Sequence, residues 1–143
     1  MKSKKNSIFV QIASYRDNQL IHTLHDMISN ADHPENLKIC IAWQHSQDDV
    51  WDNLDEYKDD PRFIILDIKH EDSKGVCWAR NLTQQNYGNE EYTLQIDSHH
   101  RFVKNWDTEC IKMLDQLKKK GHKKPLITSY IPSFNPEIGR AHV

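Results

Sequence analysis

Asp97 and His99 stand two residues apart at the end of an apolar run, where a carboxylate and an imidazole can act together. Residues i and i+2 of a strand project to the same side, so both side chains can reach one divalent ion. A carboxylate and an imidazole, with room left for phosphate oxygens, suit Mn²⁺ or Mg²⁺. The alternative is that Asp97 forms a turn and the histidines are merely solvated. We expect His100 to point the other way.

A second polar group, Ser14, Tyr15, Arg16 and Asp17, stands between an apolar run and an amphipathic segment. The start of a helix offers free N–H groups and a favourable dipole to an anion. Ser14 can add a hydroxyl contact, Arg16 a guanidinium contact, and Tyr15 a surface for stacking on a base. The alternative is simple N-capping, which we expect to be the main role of Asp17. Since no glycine-rich loop is present, the segment is neither a P-loop nor a dinucleotide fingerprint.

A third group occupies residues 75–81, which read Gly-Val-Cys-Trp-Ala-Arg-Asn. Gly75 allows a close backbone approach, and Arg80 in the following helix can bind a diphosphate through two hydrogen bonds. Cys77 has no histidine at a spacing typical of an activated thiol, so we expect it to pack in the core. We expect the same of Cys40 and Cys110.

These groups need a scaffold, and the apolar runs predict one. Short β-branched runs predict strands at residues 8–13, 37–43, 63–68, 92–97 and 125–130. Helical spacing predicts helices at residues 20–31, 48–60, 75–87 and 106–117. Such alternation is typical of an α/β fold, a mostly parallel sheet with helices on both faces. Ligands bind beyond the carboxyl ends of such strands, so we expect the functional residues in the loops at 14–17, 71–75 and 97–101.

Length and composition limit the function classes. The 143 residues suffice for one domain with its own core, and the formal net charge is −2. This charge argues against a dedicated nucleic-acid or membrane-surface binder, and no apolar stretch is long enough to predict a membrane span. The 3 cysteines, without a Cys-x-x-Cys motif, predict a reducing compartment, the cytoplasm or the nucleus.

The three groups in this order resemble the GlcNAc-type glycosyltransferases, and the resemblance covers about residues 7–136. It is carried by Ile-Ala-Ser-Tyr-Arg-Asp at 12–17, Gly-Val-Cys-Trp-Ala-Arg at 75–80 and Leu-Gln-Ile-Asp-Ser-His-His-Arg-Phe at 94–102. The resemblance implies a GT-A-like fold with a Rossmann-like nucleotide-binding half, a UDP-GlcNAc donor and a divalent cation, Mn²⁺ or Mg²⁺. It also implies a retained configuration and an acceptor hydroxyl on the hydroxyproline of a protein or on a glycan.

The resemblance further implies which residues bind the donor. Asp97 and His99 stand where the family has its Asp-x-Asp-like metal motif, which makes both candidate metal ligands. The residues implied to line the nucleotide-sugar site are Ser14, Tyr15, Arg16, Arg80 and Asp97. Val76 and His100 stand where the family more often has Pro and Met. No residue is assigned to the acceptor hydroxyl.

Two other function classes remain open. One is a nucleotidyltransferase on a similar sheet, which the absence of a glycine-rich loop disfavours. The other is a nucleotide-binding or interaction module without turnover, which would use the acidic segment at 48–60.

The last residues, 138–143, read Ile-Gly-Arg-Ala-His-Val and back-translate to ATC GGA AGA GCA CAC GTC, a widely used sequencing adapter. We therefore expect the native sequence of this fragment to end near Pro136 and the domain at 7–136 to be incomplete at its C-terminus. Activity is accordingly expected of the longer protein.

Overall fold

The computed structural model describes residues 4–129, 132, 134–135 and 140–141. The strands of its main sheet are β1 (Ile8–Tyr15), β2 (Leu37–His45), β3 (Phe63–Lys69) and β4 (Tyr92–Asp97). They form one fully parallel sheet in the order β3-β2-β1-β4, so four of the predicted strands are confirmed. From β1 the chain adds β2 and β3 on one side and then places β4 on the other side, so the strand order reverses between β1 and β4. The carboxyl ends of these two strands are therefore the switch point.

Helices cover both faces of the sheet, as predicted. They are α1 (Leu20–Asn30), α2 (Val76–Gln84) and α3 (Trp106–Lys119). Because side chains alternate along a strand, Ile12 of β1 packs with Leu24 of α1 and Trp106 of α3 on one face. On the other face, Thr83 of α2 donates a hydrogen bond from Oγ1 to Gln11 Oε1 at 3.3 Å. Short 3₁₀ turns span Pro34–Asn36 and His70–Asp72.

The helix predicted at residues 48–60 does not form, and the segment runs as a series of turns. Polar side chains bind the backbone amides instead. Ser46 Oγ accepts a hydrogen bond from the Asp48 amide at 3.2 Å, and Asn53 Oδ1 accepts one from the Asp55 amide at 2.7 Å. Local bonds of this kind favour turns over a helix, and carboxylates three and four residues apart destabilise a helix further.

The fifth strand predicted at residues 125–130 is also wrong over the part that the structure describes, 125–129, which has no regular secondary structure. Leu126 is 81% exposed, since the segment packs on no core that would bury a strand. Tyr130, and most of the tail predicted to be foreign, lie outside the described residues. Two short strands nearby, β5 (Phe134–Asn135) and β6 (Arg140–Ala141), pair antiparallel with each other.

The cysteines are placed differently from one another. Cys40 is buried as predicted and Cys110 is half-buried, but Cys77 is exposed. The core prediction fails for Cys77 because α2 turns Ala79 and Thr83, which lie one turn apart, toward the sheet. Among the described residues, no helix is both long and apolar enough to cross a membrane.

Candidate functional site

The segments that follow β1, β3 and β4 lie at the carboxyl edge of the sheet. The ring of Tyr15, the last residue of β1, contacts the ring of His70, which follows β3, edge to face at a centroid distance of 6.2 Å. Asp17, after β1, lies with Oδ2 2.7 Å from Nδ1 of His99, after β4. This edge is the switch point, where sheets of this type bind ligands.

Arg80 and Asp97, both predicted to bind the ligand, are in direct contact. Asp97 ends β4 beside Ala13 of β1, and Arg80 Nη2 donates a hydrogen bond to its Oδ1 at 3.1 Å. The side chain of Asp97 is 51% exposed, which leaves the carboxylate open to a further partner. The Nε atom of Arg80 is buried and has no hydrogen-bond partner in the described part of the chain.

His99 and His100 take different partners. The ring of His99 is exposed and is bound to Asp17 through Nδ1. His100 was expected to point away from Asp97, but its Nε2 lies 3.9 Å from Asp97 Oδ2. The strand alternation on which that expectation depended ends at Asp97, because the chain bends at the next residue. Burial lowers the pKa of His100, and the nearby Asp97 carboxylate offsets part of this shift.

Asp17 ties the loop after β1 to the loop after β4. Its Oδ2 accepts a hydrogen bond from Ser98 Oγ at 2.6 Å, and its Oδ1 accepts one from the Gln19 amide at 2.8 Å. Burial acts to raise the pKa of Asp17, but the hydrogen bonds from Ser98, Gln19 and His99 outweigh it and lower that pKa. The predicted N-capping role of Asp17 is wrong, because the N-cap of α1 is Gln19 and no side chain caps the helix. Oδ1 of Asp17 closes a local turn onto the Gln19 amide just before α1, while Oδ2 binds the loop after β4.

Helix α1 holds the rest of the loop after β4. Thr23 is fully buried, and its Oγ1 donates to the Ser98 carbonyl and accepts from the His100 amide, both at 2.9 Å. Asp26 Oδ2 accepts a hydrogen bond from the Phe102 amide. The loop that carries both histidines is therefore fixed to one helix at its start and at its end.

Arg16 is already paired with a carboxylate. Its Nε and Nη2 atoms donate to the two oxygens of Asp49 at 2.7 and 3.0 Å, and the hydrogen bond lowers the pKa of Asp49. Arg16 has a left-handed φ of 46°, and its amide donates to the Gln44 carbonyl at 2.8 Å. This backbone turn directs the guanidinium toward the segment after β2.

Ser14 lies beneath the surface of the site. It is fully buried, and its Oγ has no hydrogen-bond partner within the described residues. Its carbonyl accepts a hydrogen bond from Gln44 Nε2 at 3.1 Å. Of the predicted site residues, Ser14 is therefore the one that a ligand cannot reach directly.

The sequence does not predict that Asp49, Asp52 and Gln44 make contacts at the candidate site. Asp52 is buried, and Trp43 Nε1 donates to its Oδ1 at 2.8 Å. Burial raises the pKa of Asp52, and the hydrogen bond from Trp43 offsets part of the shift. The available signal was the position of these residues at or just after the end of β2, on the same sheet edge as the three predicted loops.

The residues at this edge do not form a closed metal site by themselves. Across the described ranges, no group of three His, Cys, Asp or Glu side chains is placed to hold a metal ion. Asp97 and His99 remain the predicted ligands, but the strand alternation that was expected to turn both side chains to one side ends at Asp97. Further ligands would have to come from water or from a bound molecule.

One of three comparisons with known proteins finds a match. A family model described as Glycosyltransferase (GlcNAc) matches residues 7–61 and 59–143. No curated protein and no solved structure matches the chain.

Proposed function

Because the chain belongs to the GlcNAc glycosyltransferase family, we propose that it binds UDP-GlcNAc and transfers N-acetylglucosamine to an acceptor hydroxyl with the help of a divalent cation. The contact between Arg80 and Asp97 carries this proposal. It joins a guanidinium to a half-exposed carboxylate at the switch point of a parallel sheet. A guanidinium can bind the diphosphate, and a carboxylate can bind the cation that accompanies it.

The positive groups suit a departing nucleoside diphosphate. Arg80 is held in place by Asp97, and Arg16 lies at the same edge in the loop after β1. Guanidinium groups that are fixed before the reaction stabilise negative charge as it develops on the leaving group. The exposed ring of Tyr15, braced by His70, offers a surface on which the base can stack.

The end of β4 fits a cation that is shared with the diphosphate. Asp97 Oδ2 and His99 Nε2 accept no hydrogen bond from the described residues, although His100 Nε2 lies 3.9 Å from Asp97 Oδ2. Both side chains, Asp97 and His99, are more than half exposed. Mg²⁺ and Mn²⁺ bind through one or two protein ligands and fill the remaining positions with water and phosphate oxygens. The cation would neutralise charge on the diphosphate when bound.

The acceptor is proposed from the family resemblance alone. We propose a hydroxyl of a hydroxyproline-bearing protein or of a glycan, with retention of the sugar's configuration. None of the contacts described above assigns a residue to this hydroxyl.

Titration of the protein with UDP, with and without Mn²⁺, tests the donor site by calorimetry. We expect binding that depends on Mn²⁺ and is lost in Asp97→Ala. Asp60→Ala is the matched control, because Asp60 also binds an arginine, Arg62, but at the opposite end of the sheet. Release of UDP from UDP-GlcNAc then tests turnover.

Two results would count against the proposal. Full UDP binding by Asp97→Ala would remove the assigned role of the carboxylate. Turnover of nucleoside triphosphates in preference to UDP-GlcNAc would favour the nucleotidyltransferase alternative.

A further inference from the structure

Asp17 and His99, 82 residues apart in the chain, form a carboxylate–imidazole pair at the candidate site. We propose that Asp17 is the positioning residue of His99, which it holds with the ring hydrogen on Nδ1 and with Nε2 free to bind a cation. This inference rests on the proposed function, since it assigns a role toward the proposed cation.

The direction of the hydrogen bond follows from the other groups around Asp17. The Ser98 hydroxyl donates to Oδ2 and the Gln19 amide donates to Oδ1, at 2.6 and 2.8 Å, so the carboxylate already serves as an acceptor at both oxygens. An ionised carboxylate has no hydrogen to donate. The bond of 2.7 Å to His99 therefore requires the hydrogen to be on Nδ1. In the neutral ring, the lone pair is then on Nε2.

The two side chains of the pair also differ in burial. The side chain of Asp17 is 17% exposed, whereas that of His99 is 57% exposed. Nδ1 is anchored, and no hydrogen bond to Nε2 is present among the described residues. The ring is thus held at its inner nitrogen and open at its outer one.

This arrangement is typical of a histidine that binds a metal. Such histidines almost always donate the other ring N–H to a carboxylate or a carbonyl, which fixes the tautomer and the orientation of the ring. Capping does not account for the contact, because Oδ1 alone serves the Gln19 amide before α1. The second oxygen, Oδ2, is therefore available to orient the loop after β4.

The tautomer of His99 can be measured without any metal or donor. In ¹⁵N-labelled, metal-free protein at mildly alkaline pH, long-range ¹H–¹⁵N spectra report which ring nitrogen carries the hydrogen, and the His99→Gln spectrum assigns the signal. We expect the Nδ1–H form in the wild type and a shift toward the Nε2–H form in Asp17→Ala. Ser98→Ala is the control, because it removes another partner of Asp17 and keeps the contact to His99.

The affinity for Mn²⁺, followed by electron paramagnetic resonance, tests the positioning role. We expect binding to weaken about tenfold to hundredfold in Asp17→Ala and less in Asp17→Asn, whose amide oxygen can still accept the hydrogen bond. Circular dichroism and thermal unfolding verify that the variants are folded.

The possible outcomes separate this inference from the proposed function. A wild-type ring with its hydrogen on Nε2 overturns the inference, and so does unchanged Mn²⁺ affinity in folded Asp17→Ala. If the wild type has the Nδ1–H form but binds no Mn²⁺, the metal dependence of the proposed function fails, while the orientation of His99 by Asp17 is supported.

Discussion

Arg16 binds Asp49 through two hydrogen bonds, and this pair joins the loop after β1 to the segment after β2. The guanidinium is thus neutralised by a carboxylate of the protein at the position where we propose that a diphosphate binds. A bound diphosphate has to compete with Asp49 for Arg16, so the carboxylate lowers the affinity for the diphosphate.

The first prediction concerns this competition. Asp49→Asn weakens the hold on Arg16, and we expect UDP to bind a few-fold more tightly at low ionic strength, with a smaller gain at high salt. Calorimetry at two salt concentrations measures the effect. Asp48→Asn changes the net charge equally but removes no hydrogen bond to Arg16, so an equal gain there would attribute the effect to general charge.

The second prediction concerns the shape of the guanidinium at Arg80. Arg80→Lys keeps the charge but removes the planar pair of donors, so we expect UDP to bind about tenfold more weakly. Arg62→Lys is the control, as its ion pair with Asp60 lies before β3 at the other end of the sheet. Unchanged UDP affinity in Arg80→Lys would show that charge alone matters at this position.

The third prediction concerns stacking on Tyr15. Tyr15→Phe should keep UDP affinity, whereas Tyr15→Ala should lower it about fivefold or more, because a base loses its aromatic surface. Pyrophosphate lacks a base, so its affinity should be the same for both variants. A loss of pyrophosphate binding in Tyr15→Ala would point to disruption of the loop instead.

The fourth prediction concerns pH and Asp52. Burial raises the pKa of Asp52 in the folded state, so the native protein holds the proton more tightly than the unfolded chain does. The contribution of Asp52 to the free energy of unfolding is therefore fully present below its unfolded pKa and is lost as the pH rises through its folded pKa. Asp52→Asn removes this loss and can still accept the hydrogen bond from Trp43.

We expect the Tm of Asp52→Asn to exceed that of the wild type by a few degrees at neutral pH and to match it in acid. Asp55→Asn, an exposed acid of the same segment, is the control and should show no such difference between the two pH values. A lower Tm for Asp52→Asn at neutral pH would contradict the prediction.

The fifth prediction concerns Thr23, a residue of α1 that is buried where the helix contacts the loop after β4. Thr23→Val keeps the shape of the side chain but leaves the Ser98 carbonyl and the His100 amide unpaired, so we expect a loss of about 2 kcal/mol in the free energy of unfolding. Urea unfolding measures it. Thr108→Val, whose hydroxyl binds Asp32 at the surface, should cost much less.

The sequence predicts the sheet because it follows from local patterns, and we expect the site at its carboxyl edge for the same reason. β-branched runs such as the one in β4 are short and end at polar residues, and parallel strands bring their carboxyl ends to one edge. The contact between Arg80 and Asp97 at that edge, like the one between Tyr15 and His70, is seen only in the structure.

The remaining features depend on contacts that no local pattern encodes. The spacing of Leu54 and Tyr57 favours a helix, but the segment forms a series of turns because Asn53 binds the backbone locally. Leu54 and Tyr57 are buried all the same. The pairing of Asp17 with His99 depends on two loops that only the folded sheet brings together.

The attachment of the loop after β4 to α1 has a consequence for local stability. The amides of His100 and Phe102 donate to the side chains of Thr23 and Asp26, so these amides cannot open to solvent without parting from the helix. The loop and α1 should therefore open as one cooperative unit in hydrogen exchange. A ligand that binds only to the loop would slow the exchange of amides along the whole helix, far from any atom that it touches.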